Sequence, residues 1–169
     1  MSLEQGSLVA QIVSAVAVIA SLIFVGFQLR QATAAIHASS SQAHSELYTT
    51  LVQSIIDNDD FAKIWSVGLA EPNVLREEDW VRFVAYASAL FRLYESSRVQ
   101  WLHGRLDAAH WHAIEHQAMN FVGQPGLSMA WELRGHWYSD DFRNWFEGLR
   151  STGKPMYDRC ADALGRQQT

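Results

Sequence analysis

LVAQIVSAVAVIASLIFVGFQL, residues 8–29, is one apolar run with no charged side chain in it, and Arg30 follows directly. Twenty-two helical residues rising about 1.5 Å each reach roughly 33 Å, enough to cross a hydrocarbon layer of about 30 Å. A cleaved signal peptide has a shorter apolar core, a basic front and a small-residue cleavage site. Here the front is MSLEQGS, with Glu4 and no basic residue, and the polar, helix-compatible stretch RQATAAIHASSSQAHS stands behind the run. A buried core helix is rarely this long. The run therefore predicts a retained transmembrane segment over residues 1–30, in contact with membrane lipid.

Arg30 lies just behind the span, no acid appears before Glu46, and the front flank carries Glu4 alone. The bias of basic residues toward the inner side then places residues 30–169 in the cytoplasm and the N-terminus outside, as in a single-pass protein of a bacterial inner membrane. Ser7, Ser14, Ser21 and Gln28 recur every seven residues, and Gln11 stands one turn after Ser7. A seven-residue step drifts only about 20° around a helix, so these groups share a face. Ala10 and Ala17 lie beside them, whereas Ile12, Val16, Ile19, Ile23 and Phe27 point elsewhere. Lipid gives helices no hydrophobic reason to associate; small residues and carboxamides do. The strip predicts a homo-oligomer, with the polar edge at its axis as tight packing or as a pore lining. In a lone anchor the same hydroxyls would bond back to their own helix carbonyls.

The rest of the chain reads as helix throughout. Residues 31–56 contain no Gly or Pro, and Ile36, Ala43, Leu47, Leu51 and Ile55 follow helical spacing, so the span is expected to continue as one long helix. On it, His37, Ser40, His44 and Thr49 are expected among the wetter residues. Asp59 or Asp60 is expected to cap a short helix bearing Phe61, Ile64, Trp65 and Leu69, and AEPNVLREED reads as a loop. A long helix follows over about residues 77–103, with Gly104 as its C-terminal cap and Trp80, Phe83, Val84, Ala87, Leu90, Phe91, Tyr94 and Trp101 as its apolar stripe. Asp107 opens a fourth helix. Pro125 opens a fifth, with Met129, Trp131 and Leu133, and Ser139 a last one. No stretch alternates with period two. The fold class is all-α: an N-terminal transmembrane helix continuous with a cytoplasmic bundle of about five helices over residues 31–150, then a weaker tail over 151–169.

VIASLIFVGFQLRQATAA resembles the opening of a group of short single-span bacterial membrane proteins with no assigned activity, which pair a Gln-x-Arg-Gln stretch (here Gln28–Leu29–Arg30–Gln31) with a helical domain. Phe91, Glu95, Gln100, Gly104, Leu106, Asp107 and Trp111 carry the likeness further, as do Gly126, Trp131 and Phe142. The resemblance implies topology and fold, and no chemistry.

Composition narrows the function classes. The net charge is −5, no basic tract marks a nucleic-acid footprint, and the acids cluster at helix starts, where the macrodipole favours them. The lone cysteine, Cys160, excludes an internal disulfide. No cofactor motif is present. His112-Ala-Ile-Glu115-His116 matches the inverted zinc-protease spacing, which places two imidazoles on one helix face, with His110 or His103 as further candidate ligands. Arg98/His103 and Arg105/His110 match the loose Arg-x4–6-His spacing of HEPN ribonucleases, although Val99 and Leu106 stand where that motif carries a polar residue. A helical bundle on a membrane stalk is also similar in architecture to the HEPN-like pore-forming accessory membrane protein of type VI-B CRISPR systems. Glu95, beside Phe91, Tyr94 and Leu102, must be paired if buried, with Arg92, Arg98 or an arginine from a later helix as partner. The expected function is a self-associating scaffold or pore with a helical collar. The alternatives are a membrane-tethered HEPN-like or metal-dependent hydrolase, and a monomeric adaptor for an unknown protein partner.

Overall fold

The computed structural model describes residues 3–152; before Gln11, Ser7 alone has a described side chain. All but the first two residues of the tail, and Cys160 with them, lie outside this range. Among the described residues there are six α-helices and no strand. The chain divides into two compact units, Met1–Ser39 and Ser40–Thr169.

The first helix, α1 (Leu3–Ile56), is 54 residues long and unbroken, as the absence of Pro and of helix-interrupting Gly pairs demands. Within the first unit, no described residue covers its apolar side chains. Ile12, Val16, Ile19, Leu22, Phe24 and Phe27 are each 58–66% exposed. This apolar helix is long enough to span a membrane and lies near the N-terminus.

The second unit is a helical bundle. Helix α2 (Asp59–Ala70) is capped by Asn58, whose Oδ1 accepts the Phe61 N–H at 2.9 Å. Asp59 and Asp60 occupy its first turn instead of capping it. A short carboxamide in extended backbone reaches the third N–H, and the two carboxylates then sit against the positive end of the helix. The stretch read as a loop contains one 3-10 turn, Pro72–Val74.

Helix α3 (Glu77–Leu102) is the central element, packing against α2, α4 (Ala108–Val122) and α5 (Pro125–Arg134). Its start carries Glu77, Glu78 and Asp79. Its end is a Schellman closure: Gly104 takes φ +63°, its N–H reaches the Trp101 carbonyl at 2.9 Å, and the Arg105 N–H reaches that of Gln100 at 2.8 Å. Helix α6 (Asp140–Thr152) begins after Ser139 and packs on α4.

The core forms around α3, where Phe83, Ala87, Phe91 and Tyr94 are at most 1% exposed. Phe91 meets Trp131 and Phe146 edge-on at 5.3 and 5.1 Å, the orientation their ring quadrupoles favour. Each such buried side chain stabilises the fold by roughly 1.5–3 kcal/mol. On α5 the buried set is Gly126, Leu127, Ala130 and Trp131, while Met129 and Leu133 are 37% and 48% exposed. The short helix faces the core with the edge that brings Gly126 against α2. A Cβ built on Gly126 would stand 1.8 Å from the Gly68 carbonyl oxygen, so α2 and α5 cross backbone to backbone. Only glycine permits that approach.

Candidate functional site

The chemistry-bearing residues gather mainly along α3. Arg98 is the least exposed of the arginines and lysines in the described ion pairs. Its Nε and an Nη grip Asp141 of α6 at 2.6 and 3.1 Å, and its guanidinium carbon lies 5.5–5.9 Å from the ring centres of Trp101, Trp111 and Trp145. A planar, weakly hydrated cation suits both the carboxylate fork and the indole faces. The Arg98 hydrogen bond holds the Asp141 carboxyl below its ordinary range. The guanidinium proposed for RNA chemistry is therefore spent joining α3 to α6.

Its sequence partner His103 is exposed at the end of α3, with Nδ1 2.7 Å from the Val99 carbonyl. Arg105 is exposed in the following turn. His110 lies in the first turn of α4, where its backbone N–H donates to Asp107 Oδ1 at 2.8 Å. That bond draws the Asp107 carboxyl down and makes it the helix cap.

His112 and His116 are exposed on α4. Glu115, between them, accepts the Trp145 indole N–H at 3.0 Å and lies 3.6 Å from His112. Among the described residues no three His, Cys, Asp or Glu side chains are grouped to hold a metal ion. The motif's carboxylate serves α4–α6 packing.

Glu95 is 8% exposed. One carboxylate oxygen pairs with Arg92 and the other accepts the Ser139 backbone N–H at 2.8 Å. Arg92 in turn lies 4.6 Å above the Tyr138 ring, and the Tyr138 hydroxyl donates to the Ser88 carbonyl at 3.0 Å. These contacts fasten the turn before α6 onto α3, and they satisfy a carboxylate that would otherwise be costly to bury.

In the first unit, Ser7, Gln11, Ser14, Ser21 and Gln28 are all exposed on α1. The Ser21 hydroxyl donates to the Ala17 carbonyl one turn back at 2.9 Å. Its hydrogen is thus spent within the helix, while its small profile remains. Gln11 and Gln28 present carboxamides outward.

One polar pair was not anticipated. His44, read as a wet residue, is 7% exposed, and its Nδ1 stands 2.6 Å from the Ser97 hydroxyl of α3. Ser97 itself donates to the Leu93 carbonyl at 2.9 Å, so the imidazole supplies the hydrogen through Nδ1–H. Burial, and to a lesser degree the nearby His110, lowers the His44 pKa. A signal existed: His44, Tyr48, Leu51 and Ile55 keep a 3.6-residue period and are among the residues α1 shelters here. Leu47, assigned to that stripe, is 55% exposed, and Ile36 is 50% exposed.

Surface clefts offer little chemistry. The one between α5 and α6, lined by Trp131, His136, Arg143 and Arg150, has its cations paired: Arg143 with Asp140, and Arg150 with Glu147 and Glu132. The described arrangement is built for holding helices together and for presenting an apolar N-terminal helix. No protein-family model, no curated protein and no solved structure matches the chain.

Proposed function

We propose that this protein is a single-span bacterial inner-membrane protein that associates with copies of itself through α1 and carries its helical bundle on the cytoplasmic side as a scaffold. The observation that carries the proposal is the naked apolar helix: eleven large apolar side chains between Ile12 and Leu29 are 47–66% exposed. A core helix of a soluble protein would be covered by its own chain. A bilayer covers this one at roughly 25 cal/mol per Å² of apolar surface. Retention of the span is supported by the unbroken helix to Ile56, because a signal peptidase needs extended backbone behind the apolar core.

Self-association is supported by the seven-residue strip of Ser7, Ser14, Ser21 and Gln28. With the Ser21 hydrogen already bonded to its own helix, the strip favours tight helix packing over a water-lined pore. Gln11 and Gln28 supply the groups that gain by pairing across the contact. The residues offered for hydrolase chemistry have other work: Arg98 joins two helices, and Glu115 receives an indole N–H. Light scattering of the full chain in mild detergent tests the proposal. The protein is expected as a defined oligomer that falls to monomer when Ser14 and Ser21 are both replaced by leucine. A wild-type chain that is monomeric at every detergent ratio refutes self-association.

A further inference from the structure

Residues 40–56 of α1 are seated on the bundle through both polar and apolar contacts. The Tyr86 hydroxyl donates to the Leu51 carbonyl at 2.8 Å, Leu51 and Ile55 are partly buried against the core, and His44 meets Ser97. His44, Tyr48, Leu51, Val52 and Ile55 form the face of this segment turned from solvent. Of its two side-chain hydrogen bonds to α3, Tyr86 to Leu51 and His44 to Ser97, the second contains a titratable ring.

We propose that the His44–Ser97 contact is a pH-sensitive latch: the neutral imidazole keeps residues 40–56 on α3, and its protonation releases them. The chemistry follows from the hydrogen bonds. Nδ1 already carries the hydrogen that Ser97 accepts, because the Ser97 hydroxyl hydrogen is committed to Leu93. An added proton must go to Nε2, which turns from acceptor to donor and brings a full charge into a site 7% exposed. Among the described residues, the groups facing the ring offer no opposite charge. Ser97 comes from α3 and is neutral, and His110 comes from α4 and repels a cation. On α1 itself, Glu46 is engaged with the Gln42 carboxamide at 2.8 Å.

The sign follows from linkage. Because the docked state disfavours the proton, the undocked state binds it more readily, so docking is strongest above the ordinary histidine range and weakens as the pH falls through it. A single proton limits the effect to about a tenfold change in the docked-to-undocked ratio per pH unit. The latch lies wholly within the second unit and depends on neither the membrane span nor self-association.

The test is a spin-label distance across the contact. Nitroxides are placed at the exposed positions Thr49 and Val99 of the full chain, in a Cys160→Ser background in lipid nanodiscs, at pH 7.5 and pH 5. One short distance at pH 7.5 and an added longer population at pH 5, reversible and with unchanged tryptophan emission, is the expected result. In His44→Asn, which keeps a group at the Nδ1 position without a titration, the short distance persists at both pH values; His44→Gln serves if that variant does not fold. An unchanged wild-type distribution at pH 5, the same lengthening in the non-titrating variant, or a tryptophan shift in step with the distance each overturns the latch.

Discussion

Replacing Gly126 by alanine places a methyl group 1.8 Å from the Gly68 carbonyl oxygen, 2.8 Å from the Gly68 carbonyl carbon and 2.9 Å from the Phe83 ring. The first two are backbone atoms, so no rotamer change relieves them. The α2–α5 crossing must open by more than about 1 Å, and a gap of that size forfeits about half of the dispersion attraction across a packed contact. Overpacking of this kind costs about 3 kcal/mol, and partial exposure of Leu69 and Leu127 adds to it. The helix-propensity gain of alanine over glycine returns at most about 1 kcal/mol. A net loss of about 3 kcal/mol corresponds to a Tm lowered by at least about 12 °C for a bundle of this size. Tryptophan emission during heating in mild detergent is the assay, because every tryptophan lies between Trp65 and Trp145 and α1 contributes none. The control is Gly148→Ala in α6, where an added Cβ meets nothing within 4 Å and should stabilise by about 0.5–1 kcal/mol. A Gly126→Ala Tm within about 3 °C of wild type refutes the close crossing.

Removing Glu95 with alanine orphans the Ser139 N–H and should destabilise by about 1–3 kcal/mol in urea melts, whereas Glu95→Gln keeps an acceptor and loses under about 1 kcal/mol. The buried Tyr94 hydroxyl has no hydrogen-bond partner among the described residues, so Tyr94→Phe is expected to leave stability unchanged or raise it; a loss above about 1 kcal/mol would contradict this. Arg98 holds the Asp141 carboxyl below its ordinary range, so the wild-type advantage over Asp141→Asn is full above that range and fades as acid protonates Asp141. Urea midpoints from pH 7 to pH 2 check this, and an advantage that grows on acidification contradicts it.

Local signals along the chain were legible wherever one residue sets one backbone geometry. The run before Arg30 and the lack of breakers to Ile56 mark α1; Gly104, Asp107 and Pro125 mark three helix ends by positive φ, side-chain cap and fixed φ. Choosing between Asn58 and its acidic neighbours needed the actual reach to the Phe61 N–H, which all three residue types can satisfy in principle. What sequence could not give was anything set by two distant elements. The Gly68–Gly126 crossing rotated α5 so that Met129 and Leu133 face outward, and Ser97 drew His44 out of water. The three indoles around Arg98 come from α3, α4 and α6, so no spacing rule could show that this arginine was already engaged.

Alkaline carbonate extraction of membranes from bacteria making the full chain, followed by intact mass measurement, tests the central claim. The account predicts the uncleaved polypeptide in the membrane pellet, with its recovery there lost when Ile19 and Leu22 in the exposed apolar stretch are changed to arginine. Intact protein in the carbonate supernatant, or a mass lacking the N-terminal residues, would contradict it.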